Sequence, residues 1–171
     1  EQQRRLPELV SNLATVPAID LPLNDNIHIS AAGHRRLGRR AAQAMLVLRE
    51  GRRFGKPPIE VGRISLVPNR ALARVDIAVS FRNVTGRLRS DGPATGFALS
   101  RGGTLFDRIF RVDLSGTTAY CRTICSLEEL RVSCLHYGFG LSPVCTITDE
   151  ADRSLPVFGP IALSDAPSRA P

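Results

Sequence analysis

The chain has 171 residues, of which 43% are hydrophobic and 23% are charged, a composition typical of a globular protein with a sizeable core. Its net charge of +7 comes almost wholly from arginine, and only 5% of the residues are aromatic, so the chain lacks an evident base-stacking platform. No apolar run approaches the roughly 18 residues that a membrane span requires. We therefore expect neither a nucleic-acid partner nor a membrane partner.

Residues 1–54 are predicted to contain a short helix, a strand and a long helix. The segment EQQRRLPELVSNLA is typical of the end of a helix with a loop, and Pro7 keeps the helical part short. The run TVPAIDLPL combines β-branched residues with prolines at its margins, which favours a buried strand at a sheet edge. Ser30 can cap the long helix, and Gly51 can end it. Its apolar positions at helical spacing are Leu37, Ala41, Met45 and Leu48.

A polar turn between this strand and the long helix places Asp25 three residues before His28. A neutral imidazole can take a proton from a hydroxyl nucleophile, and a carboxylate on its other nitrogen fixes the tautomer and stabilises the imidazolium. The pair is therefore a candidate for the general base and orienting acid of a hydrolase. The alternative is a surface histidine whose carboxylate neighbour caps a turn, and Asp20 and Asn24 compete with Asp25 as turn-formers.

The periodicity changes after the stretch REGRRFGKPP, which we take as the domain boundary. In RVDIAVSF every second residue is apolar, which is typical of a half-buried strand. Further short runs are RISLV, GFALS, FRVDL, TAYCRTI and LRVSCLHYGF, separated by turn residues. Their spacing predicts a β-sandwich or jelly-roll-like module over residues 55–163, followed by a disordered tail at 164–171.

The N-terminal region cannot form a complete α/β domain by itself. One strand and one helix do not cover both faces of an α/β sheet. Residues 1–54 therefore need a partner that the chain does not contain, and we expect a fragment or a processed chain.

The cysteines and the remaining histidines do not predict a metal site. The gaps between Cys121, Cys125, Cys134 and Cys145 match no recognised zinc pattern, so we expect no metal and no cofactor. Whether the thiols are paired stays open, because disulfides suit an exported enzyme and free thiols a cytosolic one, with a secreted or periplasmic location slightly favoured. His136 is interpreted as structural. The arginine pairs of the long helix and His34 are interpreted as a solvated or partner-facing surface.

Two segments resemble known hydrolase families. DNIHISAAGHRRLGRRAAQAM resembles the last conserved block of the Ser-Gly-Asn-His (SGNH) hydrolases, in which Asp-x-x-His precedes a helix with a Leu-Gly-Arg pattern. LHYGFGLSPVCTITDEADRSLPVFGPI is similar to the closing strands of sialate O-acetylesterases and related carbohydrate acetylesterases, and ATGFALSRGGTLF resembles the strand that starts that module. The matching residues are Tyr137, Gly138, Phe139, Pro143, Leu155, Pro156 and Phe158. Phe139 stands in place of the usual tryptophan, and VFGP in place of Pro-Phe-Arg.

The resemblance implies both a fold and an activity. Residues 1–54 would be the last strand-loop-helix of a flavodoxin-like SGNH hydrolase domain, and the β-rich module would follow it. The enzyme would be a serine carbohydrate O-acetylesterase whose substrate is an O-acetylated sugar. His28 and Asp25 would serve a serine on an N-terminal segment or chain of the same enzyme, as in a heterodimer of processed chains. The glycine and asparagine of the oxyanion hole would also lie upstream.

Two functions from other classes remain open on the residues alone. A non-catalytic β-sandwich could bind glycans or a protein partner, with the N-terminal segment serving as a docking helix. A basic nucleic-acid binder is the weaker of these alternatives, since its affinity would rest mainly on the arginines.

Overall fold

The computed structural model describes residues 1–51, 53 and 55–168, and it divides into a helical N-terminal region and a β-rich region. Helix α1 spans Gln2–Leu9 and helix α2 spans Ala31–Glu50. Both ends of α2 lie where the sequence predicts them, with Ser30 as the N-cap and Gly51, at φ 83°, as the C-cap. None of the described helices is both long and apolar enough to cross a membrane.

Residues 15–23 do not form the edge strand that the sequence predicts. Among the described residues, the only ladder contact of this segment is an isolated bridge between Leu23 and Ile29. The prediction is wrong for a physical reason, since a strand exists only through hydrogen bonds to a neighbouring strand and none lies beside this segment. The segment packs on the β-rich region instead, where Ile19 Cδ1 lies close to Gly138, a glycine at φ 72°.

The β-rich region contains ten strands and one short helix within the described residues. The strands are β1 Glu60–Asn69, β2 Arg74–Arg82, β3 Leu88–Arg89, β4 Phe97–Arg101, β5 Thr104–Phe106, β6 Ile109–Ser115, β7 Thr118–Thr123, β8 Cys134–Tyr137, β9 Thr148–Asp149 and β10 Phe158–Ala162. Helix α3, Leu127–Arg131, is an element that the sequence analysis missed, although its Ser126–Glu129 capping box is a recognisable helix start. The predicted β-rich character of this region is confirmed.

Two four-stranded antiparallel sheets make up most of this region. Their strand orders are β1-β2-β7-β6 and β10-β8-β4-β5, and β3 pairs with β9 in a small third sheet. Both large sheets contribute to one hydrophobic core, in which the rings of Phe81 and Phe158 lie 6.3 Å apart. Fully buried aliphatic side chains of this core include Leu66, Ile77, Leu99 and Leu135. The region therefore holds an apolar core of its own.

The C-terminal residues are ordered further than the sequence predicts. Leu66 N donates a hydrogen bond to Pro167 O at 2.9 Å, and Arg131 donates to the carbonyl oxygens of Ser164 and Ala166. The expected disorder therefore does not extend to residues 164–168, because the backbone of β1 and the side chain of Arg131 on α3 hold them. Residues 169–171 lie outside the described residues.

The apolar face predicted for α2 is largely exposed. Leu37 is half-buried, but Ala41 and Leu48 are exposed, and Met45 is 55% exposed. The side of α2 that faces the rest of the chain carries Arg36 and Arg40 together with the half-buried Ala44 and Val47. The apolar stripe therefore has little to cover it among the described residues.

Candidate active site

The loop over residues 22–30 is closed by its own backbone. Asn24 N donates to His28 O at 2.8 Å, and Ser30 N donates to Pro22 O at 2.8 Å. These bonds cross the loop at two levels, so its polar tip has a defined shape although it lies on the surface. The tip carries both Asp25 and His28.

The start of α2 packs directly on this loop. Ser30 Oγ accepts a hydrogen bond from Gly33 N at 3.1 Å, which satisfies one of the free N–H groups of the helix start. A Cβ atom at Gly33 would lie only 2.5 Å from Ile29 Cγ2 and 3.0 Å from Pro22 O. Only glycine permits this close approach, and the loop is therefore held to the helix as one unit.

Asp25 and His28 are brought together as the sequence predicts. His28 Nδ1 lies 2.7 Å from Asp25 Oδ2, while Asp25 Oδ1 accepts from the backbone N–H groups of Ile27 at 2.8 Å and His28 at 2.7 Å. The hydrogen bond from the His28 ring, followed by the two backbone bonds, lowers the pKa of the Asp25 carboxyl below its ordinary value. The carboxylate is therefore ionised at neutral pH.

The ionised carboxylate determines which nitrogen of His28 carries the proton. A carboxylate can only accept hydrogen bonds, so Nδ1 must be the protonated nitrogen and Nε2 of the neutral ring is a free acceptor. Within the described part of the chain, no hydrogen bond reaches Nε2. The two side chains are 71% and 54% exposed, for His28 and Asp25 respectively. The pair therefore lies at the surface of the chain, where a further group can reach the imidazole.

The described residues supply no nucleophile to this pair. Ser30 is the serine closest in sequence, and its hydroxyl caps α2. No serine hydroxyl of the described chain is hydrogen-bonded to His28. By itself, the pair can orient and hold a proton, but it cannot attack an ester.

A cluster of four charged residues, which we call the clamp, lies beside this loop and was missed by the sequence analysis. It consists of Asp20, Arg36, Arg40 and Asp152. The side chains of Arg40 and Asp20 are only 4% and 2% exposed. Of the arginine pairs interpreted as a solvated or partner-facing surface, Arg35 and Arg39 are exposed, whereas the two clamp arginines form ion pairs within this chain.

The clamp is densely hydrogen-bonded. Arg40 donates to both carboxylate oxygens of Asp20 at 2.7 Å and, through Nε, to the backbone oxygen of Asp152 at 2.5 Å. Arg36 donates from Nε to Asp152 Oδ2 at 3.0 Å and from Nη2 to Asp20 Oδ2 at 3.0 Å. Its bonds to Asp152 are the main cause that lowers the pKa of that carboxyl. The i, i+4 spacing of the arginines places both on one face of α2 and could have indicated a shared partner, but one of their two partners, Asp152, lies over 100 residues away.

The other titratable candidates do not join the site. His34 is exposed, and His136 is buried in β8 with Nε2 2.8 Å from Ser100 Oγ. Burial lowers the pKa of His136, and its Nδ1 has no hydrogen-bond partner among the described residues. All four cysteines are free thiols, and burial raises the pKa of Cys145 to about 11. Among the described residues, no group of three or more His, Cys, Asp or Glu side chains is placed to hold a metal ion.

The residues that carry the C-terminal resemblance lie mostly in the core of the β-rich region. Tyr137, Leu155, Pro156 and Phe158 are buried, and the rings of Tyr137 and Phe158 are stacked at 6.0 Å. Phe139 is exposed, and its ring lies 4.4 Å from that of the buried histidine in β8. These residues build the module rather than the candidate site.

Comparison with known proteins gives a match among solved structures. No protein-family model matches the chain, and no curated protein matches it. Among solved structures, the fold is similar to that of a carbohydrate acetylesterase from Xanthomonas citri, with 15% sequence identity and a TM-score of 0.58 over 81% of this chain. The chain spans only 30% of the length of that protein. At this identity the likeness shows a similar fold, and it does not by itself transfer an activity.

Proposed function

We propose that this chain is the C-terminal part of a serine carbohydrate O-acetylesterase of the SGNH superfamily, similar to the sialate O-acetylesterases. Residues 1–54 would complete the α/β hydrolase domain, and the two large sheets would form its β-sandwich module. The observation that carries the proposal is the 2.7 Å hydrogen bond between His28 and Asp25, which leaves Nε2 of the imidazole free to accept a proton. The similarity in fold to a solved carbohydrate acetylesterase also supports this proposed activity.

The proposed reaction divides the chemistry between two stretches of polypeptide. A serine of the upstream segment or chain attacks the acetyl carbonyl, and His28 Nε2 takes its proton. Asp25 stabilises the imidazolium that forms. The imidazolium then protonates the sugar oxygen as its bond to the acetyl carbon breaks, so the sugar departs with a free hydroxyl and an acetyl-serine remains. In the second half His28 takes a proton from water as the water attacks the acetyl group, and returns it to the serine as acetate departs.

Exposed apolar side chains support the proposal that another stretch of polypeptide covers the N-terminal region. Met45 and Leu48 on α2, Leu9 and Val10 at the end of α1, and Ile27 at the tip of the loop are all exposed. Apolar surface on one side of a helix normally packs against another element. We propose that the serine-bearing segment or chain covers this surface.

The test of the proposed function uses the full enzyme, meaning this chain together with its serine-bearing part. His28→Ala should lower turnover of an acetylated sugar or a chromogenic acetate by at least about 10³-fold, because the serine loses its base. His34→Ala is the matched control, since that histidine is exposed on α2 and should leave turnover unchanged. Full activity of the His28 variant would refute the proposal.

A groove in the β-rich region favours a second function, binding of a glycan without catalysis. Its volume is about 590 Å³, and it lies between the loop 92–97 and strand β6. Phe110 lines it with a side chain that is 56% exposed, an aromatic surface on which a sugar ring could stack. Glycan affinity that is lost in Phe110→Ala, in a protein without ester turnover, would favour this function over the first.

A further inference from the structure

The clamp connects the loop that carries His28 to the β-rich region. We propose that Asp152 acts through the clamp as a positioning residue for the imidazole of His28. The inference rests on the proposed function, because only a reacting imidazole needs to be held at a fixed place. Asp152 itself touches neither the imidazole nor Asp25 among the contacts of the described residues.

Both ends of the candidate loop are attached to the clamp. Asp20 stands two residues before the loop 22–30, and Arg36 stands six residues after the Ser30 cap. The loop is closed by its own backbone bonds and packs on the start of α2, so the loop and the helix start form one packed unit. Fixing Asp20 and Arg36 therefore fixes the direction in which the imidazole points.

The β-rich region presents Asp152 from a rigid turn. The buried carboxylate of Asp149 accepts hydrogen bonds from the backbone N–H groups of Ala151 and Arg153, both at 3.0 Å. Arg153 also donates to Asp149 through Nη2 at 2.7 Å. Asp152 adopts φ 56° in this turn, a left-handed conformation that aspartate accepts more readily than most residues. Its carboxylate is thus held at one position relative to β9 and β10.

The connection between the loop and the β-rich region depends on the charges of the clamp. Two guanidinium groups and two carboxylates balance, and buried charges are stable only when such pairs are complete. Asp152→Asn keeps the shape of the side chain and the backbone oxygen that Arg40 contacts, but it removes one negative charge. Arg36 then loses one of its two carboxylate oxygens on Asp152 and the negative charge that pairs with it, so the loop is held less firmly on the β-rich region.

The kinetic test compares Asp152→Asn with a variant of the same turn in the full enzyme. Because a misplacement of about 1 Å can cost about 10²-fold in rate, we expect kcat to fall about 10- to 100-fold while KM stays within about twofold. Glu150→Gln is the control, since Glu150 pairs with Arg87 at 3.0 Å on the surface and should leave kcat unchanged. Asp152→Glu, which restores the charge, should recover part of kcat. An unchanged kcat in Asp152→Asn would overturn the proposal.

A second measurement tests whether the clamp holds the loop, and it needs no activity assay. In the 171-residue chain, amide hydrogen exchange should become faster at Ser30 and Gly33 in Asp152→Asn, while Val79 in β2 keeps its protection. Equal acceleration at all three amides would show a general loss of stability and would contradict a positioning role. If His28→Ala left ester turnover intact, the proposed function would fail, whereas the exchange result would still decide whether the clamp holds the loop.

Discussion

The two regions of the chain differ in where their apolar residues lie. The β-rich region buries its apolar side chains between its sheets, and fully buried residues such as Ile77, Leu99 and Leu135 come from both. The N-terminal region buries Arg40 on α2 and leaves Met45 of the same helix exposed. The N-terminal region therefore meets the β-rich region through the ion pairs of the clamp as well as through apolar contacts such as that of Ile19 with Gly138. The comparison separates a region with a large apolar core from a region that is attached to it in part by charged side chains.

The largest effect that this comparison predicts is catalytic and lies in the N-terminal region. Asp25→Asn should lower turnover of the full enzyme by about 10⁴-fold, because an amide at this place favours the wrong tautomer of His28. The melting temperature should not change, since both side chains are exposed. Asn26→Ala, on the same loop, is the control. Turnover within tenfold of the unaltered enzyme would show that Asp25 only shapes the turn.

The next effect is on stability and lies in the β-rich region. Leu135→Ala should lower the free energy of unfolding by about 2–5 kcal/mol, because the removed methyl groups leave a cavity in a fully buried position. Urea denaturation of the 171-residue chain measures this value. A change much below that range would mean that the two sheets do not share a tightly packed core.

A smaller effect is the loss of stability in mild acid that we expect from His136. Burial lowers the pKa of His136 in the folded state, so the unfolded chain binds a proton more readily. Stability should therefore be highest above the unfolded pKa of about 6.5 and should be lost as the pH falls from there through the folded pKa. His136→Gln should flatten the pH dependence of unfolding in this window. An unaltered slope in the variant would assign it to other groups.

Because of the clamp, we expect the folded chain to lose stability a second time at lower pH. Hydrogen bonds, above all from Arg36, lower the pKa of Asp152 in the folded state. The contribution of this carboxylate to stability is therefore complete above its unfolded pKa of about 3.9, and it is lost as the pH falls through its folded pKa. Asp152→Asn should remove this part of the acid transition while the His136 window persists. The two windows thus report separately on the interior of the β-rich region and on the clamp.

The smallest effect on this chain is expected at its exposed apolar stripe. Met45→Gln should change the free energy of unfolding of the chain by no more than about 0.5 kcal/mol, because the side chain is largely exposed. The same substitution should weaken association with the serine-bearing part, which titration calorimetry of the two parts would measure. Undiminished association would mean that the stripe is not the covered surface.

The local elements could be predicted from the sequence, and the long-range contacts could not. Ser30, Gly51 and the periodicity between them define α2, because caps and periodicity act within a few residues. The alternation in RVDIAVSF likewise predicts β2, although Asp76 inside it is buried too. Asp76 is stable there because Arg122 donates to it at 2.7 Å, a partner that no local pattern reveals.

The errors have the same origin. The segment 15–23 has the composition of a strand, but strand formation depends on a neighbour that the described chain does not provide. Arg36 and Arg40 look like surface arginines until Asp152 is brought to them from the distant β9–β10 turn. The Asp25–His28 contact was predictable because both residues belong to one short loop. The sequence analysis did not predict the contacts that anchor this loop to the β-rich region.

The central claim is that His28 serves a serine carried outside these 171 residues. The most direct test is labelling of the full enzyme with a fluorophosphonate probe, followed by mass spectrometry of the labelled peptide. We predict a single labelled serine in the upstream part, whose labelling is lost in His28→Ala and retained in His34→Ala. A label on a serine of this chain, or a label that does not depend on His28, would contradict the account.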